Sequence, residues 1–326
     1  MLPPPKPTTA SDRSFALPKG CTEVRHLMGA TRLADFLTFV RERADLSALY
    51  GEDSDPMMEM AESWRAAARV YDALETAEPY PQDAPTIFPA PAEMLEYCDQ
   101  LVALPHIRRE FDRVPVAIGM VPLAHLICAQ QRIQMPQIAT EAAVPQRPAD
   151  AELFASCLPL TAPPHAFHVI QQVMDEKQGS VTFASDNHDI RVLSTQVVNG
   201  KAAEGNWPGY SQGVLAVPVG FSGNVVNVIR FQDRLVLNNG YHRVCDLQRR
   251  GLTHVPAIIH VCRHWEDVGL AGSSEVFQNG SVYFERKRPP LIKDFADPRL
   301  AVSLAVPASR KFVRIKYEIE VGYLNT

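Results

Sequence analysis

Residues 239–243 read Asn-Gly-Tyr-His-Arg, between a strand-like run and an amphipathic segment. Asn and Gly tolerate the positive φ of a tight turn. A glycine turn that opens a helix aims several backbone N–H groups in one direction, where the helix dipole adds partial positive charge. An anion, phosphate above all, is favoured at such a point. Asn239, Gly240, Tyr241 and Arg243 are therefore the candidate phosphate-binding residues, and Arg243 supplies a planar cationic fork. A histidine can act as acid or base near neutral pH, and His242 is the candidate for that role. The plainer reading of the same residues is a turn that caps a structural helix, with His242 and Arg243 merely exposed.

Three other clusters carry chemistry-bearing side chains. "SDNHDIR", 185–191, holds Asp186, His188, Asp189 and Arg191. Such a set suits a metal–phosphate site or an acid–base pair. Asp189 is the second candidate catalytic residue, and Asp186 or Asp189 is the candidate holder of a divalent cation such as Mg2+. A polar hairpin turn is the expectation that needs least, since Asp and Asn favour turns. His260, Cys262 and His264 share one strand face at spacing two. A ligand set confined to one strand wraps a tetrahedral ion poorly, so a packed strand face is expected and the metal ligands stay unknown. "ERKRPPLIKDF", 285–295, is basic enough to touch a nucleic-acid backbone, but a solvated loop is expected there.

The elements around residues 239–243 read clearly. Val225–Phe231 and Arg234–Leu237 are strands, with a tight turn at Gln232-Asp233. A helix runs from Tyr241 to about Arg250, with Val244 and Leu247 on its inner face and Gly251 at its end. Val255–Val261 is a near-continuous apolar run, as expected of a strand covered on both faces. Upstream the texture is helical. Leu33, Phe36, Leu37 and Val40 recur at spacings of three and four, as do Met60, Trp64, Ala67, Ala68 and Tyr71. Another helix is expected over Ala92–Leu104, stopped by Pro105, and "IRREFDR" adds a shorter one. "RVPVAIGMVPLAHLICAQQRI" reads as a strand and then a short helix or turn. "SVTFAS", "IRVLSTQVV", "GVLAVPVGF", "GSVYFE", "LAVSLAV" and "KFVRIKYEIEV" read as strands.

The chain thus reads as α+β. Its expected parts are a flexible arm at 1–20, a helical module at 21–112, a mixed-sheet domain at 113–262 and a β-rich extension at 263–326. The helical module is the candidate surface for homo-oligomer formation. With 326 residues, 46% hydrophobic and 21% charged, a sizeable core is possible without disulfides. The net charge of -5 makes a nucleic-acid partner optional and leaves room for a local basic patch. The six cysteines are scattered with no CxxC pair, which fits free thiols in a reducing compartment. No apolar run is long enough for a bilayer, and "MLPPPKPTTASDRS" lacks a signal-peptide core. A cytoplasmic protein without a membrane partner is expected.

The order of hairpin, Gly-x-His-Arg, helix, Gly and Val-Pro strand resembles the ParB/sulfiredoxin-like superfamily. Gly240, His242, Arg243, Leu247, Gly251, Val255 and Pro256 carry the resemblance across residues 225–261. "VPLAHLICAQQRIQMPQ", 121–137, is a weaker match to the opening of such domains. Members include partition proteins that bind and hydrolyse CTP, nucleases, free-serine kinases and sulfiredoxin. The resemblance implies a ParB/sulfiredoxin-like mixed sheet and a nucleotide or nucleic-acid ligand. The leading expectation is an enzyme of phosphoryl transfer or of phosphodiester or NTP hydrolysis, assisted by Mg2+. The alternative is a non-catalytic regulator that binds a nucleotide or nucleic acid, DNA included. Tyr241 stands where sulfiredoxin has its reactive cysteine, so that redox chemistry is not expected. The segment after the motif reads mostly as strands, so the helix-turn-helix of partition proteins is not expected either.

Overall fold

Adjacent apolar residues in the central strands belong to different cores. Leu126, Val228 and Leu235 join one cluster, while their neighbours Ile127, Ile229 and Val236 join another. A strand that buries both kinds of position is covered on both faces. This is the organising feature of a computed structural model that describes residues 17–46, 55–134, 148–161, 171–175, 177–199, 211–272 and 274–323. The first sixteen residues, most of the expected arm, lie outside the described residues.

The elements in chain order are β1 (Cys21–Leu27), α1 (Leu33–Arg43), α2 (Pro56–Ala77), β2 (Phe88–Pro89), α3 (Leu95–Ala103), α4 (Pro105–Glu110), β3 (Val116–Pro122), β4 (Leu126–Cys128), β5 (Arg132–Gln134) and α5 (Asp150–Cys157). Then come β6 (Gln171–Asp175), β7 (Ser180–Ser185), β8 (Arg191–Val192), β9 (Gln196–Asn199), β10 (Gly213–Ala216) and β11 (Val219–Gly220). The chain ends with β12 (Asn227–Phe231), β13 (Arg234–Asn239), α6 (Tyr241–Arg249), β14 (His254–Val261), α7 (Trp265–Ala271), α8 (Ser274–Gln278), β15 (Ala301–Pro307) and β16 (Lys311–Lys316). The protein is therefore α+β. Among the described residues no helix is long and apolar enough to cross a membrane. All six cysteines are buried and free.

The chain divides into two units: residues 1–160 with 224–308, and residues 161–223 with 309–326. The boundaries expected at 112 and 262 fall inside the first unit. That unit holds a six-stranded mixed sheet in the order β2-β3-β14-β12-β13-β4. β12 and β14 are parallel neighbours, as are β13 and β4. One face carries Leu101 of α3, Phe154 of α5 and Val244 of α6. The other carries Val268 of α7, Val276 of α8, Tyr283 and Phe284.

The helical first third does not stand alone. It opens with β1, which pairs antiparallel with β15 from Cys21↔Pro307 to Leu27↔Ala301. Phe36 and Val40 of α1 and Met60, Ala67 and Tyr71 of α2 pack against Val302 and Leu304 of that strand pair. Gly29 has φ +78°, and a Cβ there would come within 2.3 Å of the Ala68 backbone nitrogen. The turn before α1 therefore touches the backbone of α2 directly.

Several local expectations are corrected. "GSVYFE" is no strand: Ser281–Glu285 forms a π-helical turn. A strand would send Tyr283 and Phe284 to opposite faces, whereas both are buried in one core. "IRVLSTQVV" breaks into β8 and β9, and the strand within "KFVRIKYEIEV" stops at Lys316. Pro105 does not only end a helix; it sits at the first turn of α4, where a missing N–H costs nothing.

The basic run 285–295 is not a solvated loop. Arg288 is 1% exposed. Its guanidinium donates to Asp294 Oδ1 at 2.7 Å and Oδ2 at 3.0 Å, and to the Pro289 carbonyl at 2.6 Å. Asp294 also accepts from Tyr71 Oη at 3.0 Å and from the Leu291 N–H at 2.8 Å. This buried pair joins α2 to the segment before β15. A buried pair that loses one partner leaves an uncompensated charge. Asp294→Ala is therefore expected to cost about 3–5 kcal/mol in urea unfolding. Tyr71→Phe should cost only about 0.5–1.5 kcal/mol, the net worth of one hydrogen bond. An Asp294→Ala loss no greater than that of Tyr71→Phe would contradict this role.

Candidate functional site

The hairpin β12–β13 turns at Gln232 and Asp233, both at positive φ (48° and 61°), as a type I′ connection requires. β13 then runs to Asn239 and meets Gly240 at φ +97°, the left-handed cap of α6. A Cβ at Gly240 would lie 2.8 Å from Val226 Cγ2 and 3.1 Å from Val226 Cα. Both the backbone angle and the space therefore require glycine. The Gly240 N–H donates to Asn239 Oδ1 at 2.9 Å, and the Gly240 carbonyl accepts the first helical bond from Val244 at 3.0 Å. Val244, Cys245 and Leu247 are buried, so the inner face is the one their spacing indicates.

The five candidate residues of this turn divide by role. Tyr241 is buried, and its hydroxyl donates to the Leu237 carbonyl. Burial holds its pKa well above the usual tyrosine value. It anchors the helix entry against β13. Arg243 donates from Nη1 to the Cys157 carbonyl at 3.1 Å and from Nη2 to Asn224 Oδ1 at 2.5 Å. Burial lowers its pKa. Its fork thus ties α6 to the end of α5. His242 is exposed in the first turn of α6.

Asp189 belongs to the second unit. Its carboxylate accepts from the Ser222 N–H at 2.8 Å and the Ser222 hydroxyl at 2.7 Å, and pairs with Arg191. Asp186 pairs with Arg310 at 2.9 Å, and His188 Nε2 lies 2.7 Å from the Ser309 carbonyl. The polar hairpin turn expected at "SDNHDIR" does not form, since β7 pairs with β6 and β16 while β8 pairs with β11; the segment is a polar connection held by these bonds. His260 is buried and stacked on Phe111 with centroids 5.0 Å apart, and burial lowers its pKa to about 4. Cys262 is buried, and His264 caps α7 with Asp267. Among the described residues no group of three or more His, Cys, Asp or Glu converges as a metal site.

A cavity of about 700 Å³ lies in the first unit, where β13 and β4 end. These two strands are parallel, in register from Leu235↔Leu126 to Leu237↔Cys128, so both lead out at one edge. Asn238 and Tyr241 line the cavity from β13 and α6, residues 129–131 line it from the β4–β5 loop, and Arg132 lines it from the start of β5. Thr31 and Arg32 add to it just before α1 and Asp35 within its first turn, and Gln278 adds to it at the end of α8 with Asn279 after it. Tyr283 Oη donates to the Ala129 carbonyl at 3.1 Å and holds the loop in place. The Arg132 guanidinium lies 4.5 Å over the Phe39 ring. His26 is buried at the cavity wall, and its Nδ1 is 2.6 Å from the Leu27 carbonyl. Burial lowers its pKa to about 4, with Arg132 acting the same way, so the ring is neutral at pH 7.

Residues 129–132 fall within the weaker sequence match at 121–137, though no site residue was expected among them. No local signal marked Thr31, Arg32, Asp35, Gln278 or Asn279. They reach the cavity through the β1–β15 and β1–β5 pairings and the packing of α7 and α8. No protein-family model, curated protein or solved structure matches this chain.

Two substitutions test the local account. Gly240→Ala is expected to destabilise by at least about 1–2 kcal/mol, the cost of a Cβ in a left-handed conformation, with the Val226 contact adding to it. Arg243→Ala should cost about 1.5–3 kcal/mol through the loss of its charged hydrogen bonds. Urea unfolding of each variant measures both, and a neutral Gly240→Ala would show that the turn relaxes freely.

Proposed function

We propose that the first unit is a ligand-binding domain on a ParB/sulfiredoxin-like scaffold. It takes a nucleotide or another phosphorylated small molecule in the cavity beside Gly240. The observation that carries this reading is the meeting of residues 129–132 with Asn238 and Tyr241 at one cavity. Those are the weak and the strong segments of the family resemblance, separated by more than a hundred residues of chain.

Further features support it. Open sheets bind ligands outside the carboxyl ends of their strands, and β4 and β13 both end here. α6 begins at the same edge and brings the positive end of its dipole. Arg32 and Arg132 add cationic donors, and Gln130, Asn238 and Asn279 add neutral polar groups. Such a lining, cationic on one wall and amide-rich elsewhere, suits a phosphate joined to a polar body.

Of the two readings of the sequence, the non-catalytic one is favoured. Asp35 is the carboxylate of the described cavity lining, and it faces Arg32 at 3.4 Å on the surface. His242 and Arg243 are not among the lining residues. Asp189 accepts from Ser222 and pairs with Arg191, which leaves it as a turn staple in this reading.

Thermal unfolding of the full chain with each NTP, each NDP and inorganic phosphate, with and without Mg2+, tests the proposal. A ligand that binds the native state at a hundred times its Kd adds about 2.7 kcal/mol of stability. Arg132→Ala should weaken that ligand by about 1.5–3 kcal/mol, judged against the variant's own baseline. Arg243→Ala should lower the baseline and leave the ligand's effect in place. The proposal fails if no phosphorylated compound raises the midpoint, or if Arg132→Ala leaves the rise unchanged.

A further inference from the structure

The second unit presents a surface of a different kind. β16, β7 and β6 form a three-stranded antiparallel sheet with β7 in the centre. The charged residues of β16 are Lys311, Arg314 and Lys316, all basic, in a chain whose net charge is -5. Strand alternation puts Phe312, Arg314 and Lys316 on one face, over roughly 13 Å of strand. The register sets Ala184, Thr182 and Ser180 of β7 beside them. These are small and uncharged, so the long side chains of β16 border a shallow floor. Across it, β6 adds Val173, and the one acid of the three strands, Asp175, stands at the corner and caps the Gln178 N–H at 3.0 Å.

Phe312 is 58% exposed. The Arg314 guanidinium lies 5.3 Å from its ring centroid, and Arg314 Nε donates to Thr182 Oγ1 at 3.0 Å. The cation is thus held over the ring on the open face. An aromatic ring held in water beside cations serves a ligand that offers both a flat π-face and negative charge. We propose that this face binds single-stranded nucleic acid. A base stacks on Phe312, and Arg314 and Lys316 neutralise the phosphates that flank it. Duplex DNA offers the charge but keeps its base faces stacked internally. An anionic lipid surface offers the charge without the rings. Phe312 therefore decides among the three.

The test is fluorescence anisotropy of a labelled oligothymidine of about 12 nucleotides, within the usual site size of such platforms, titrated with the full chain at low salt. Phe312→Ala should weaken binding about tenfold, as loss of one base–aromatic stack does. Phe312→Tyr, which keeps the ring, should bind like the parent. Replacing Arg314 and Lys316 together by Gln should reduce the slope of log affinity against log salt by about 1.4, at about 0.7 per phosphate on a single strand. The proposal is overturned if the oligonucleotide does not bind, if a duplex of equal length binds as tightly, if Phe312→Ala is neutral, or if the salt slope is unchanged.

Discussion

The close approach of Gly240 to Val226 governs the central part of the first unit. A Cβ would meet Val226 Cγ2 at 2.8 Å, and the φ of +97° already disfavours any side chain. With glycine there, β13 turns directly into α6, and the helix lies against the sheet by Val244 and Leu247. Tyr241 and Arg243 then lock the entry from two sides, one onto Leu237 and the other onto Cys157 and Asn224. The turn is thus both a structural requirement and the place where the positive end of a helix dipole meets a cavity. In the proposed function the backbone of this turn would meet the ligand while its side chains hold the fold.

The cavity depends on contacts that span most of the chain. β1 and β15 bring residues near the two ends of the first unit into one strand pair. β5 joins β1 on its other side and carries Arg132 to the wall that Thr31 and Arg32 reach just before α1. The Arg288–Asp294 pair and Tyr71 fasten α2 to the same neighbourhood. A ligand in this cavity therefore touches pieces whose relative placement is fixed by folding and not by proximity in sequence. Preorganised walls of this kind reduce the ordering cost of binding.

What the sequence made legible, and what it did not, follows the range of the interactions. α6 and its flanks were legible because their signals are local: a glycine turn, apolar residues three apart, a second glycine at φ +82°, an unbroken apolar strand. β1 was not, because "CTEVRHL" mixes charge with apolar residues and its partner lies at the far end of the unit. Arg288 looked solvated because its neighbours in the run are basic, and Tyr71, which shares Asp294 with it, lies far away in the chain. The π turn at 281–285 owes its form to Tyr283 and Phe284 both turning inward, which tertiary packing decides. At the site, the bend at Gly240 and the helix start at Tyr241 were legible. The hydrogen bonds of Arg243 were not legible, since its acceptors lie on other elements, 86 and 19 residues away.

The central claim is that a phosphorylated ligand sits where β4 and β13 end. Amide hydrogen exchange of the full chain, with and without the phosphorylated compound that stabilises it most, tests this directly, because it reports on backbone opening segment by segment. The account predicts slowed exchange at residues 129–132 and at 238–245 when the ligand is present. Protection confined to the second unit, or to segments of the first that do not line the cavity, would contradict it.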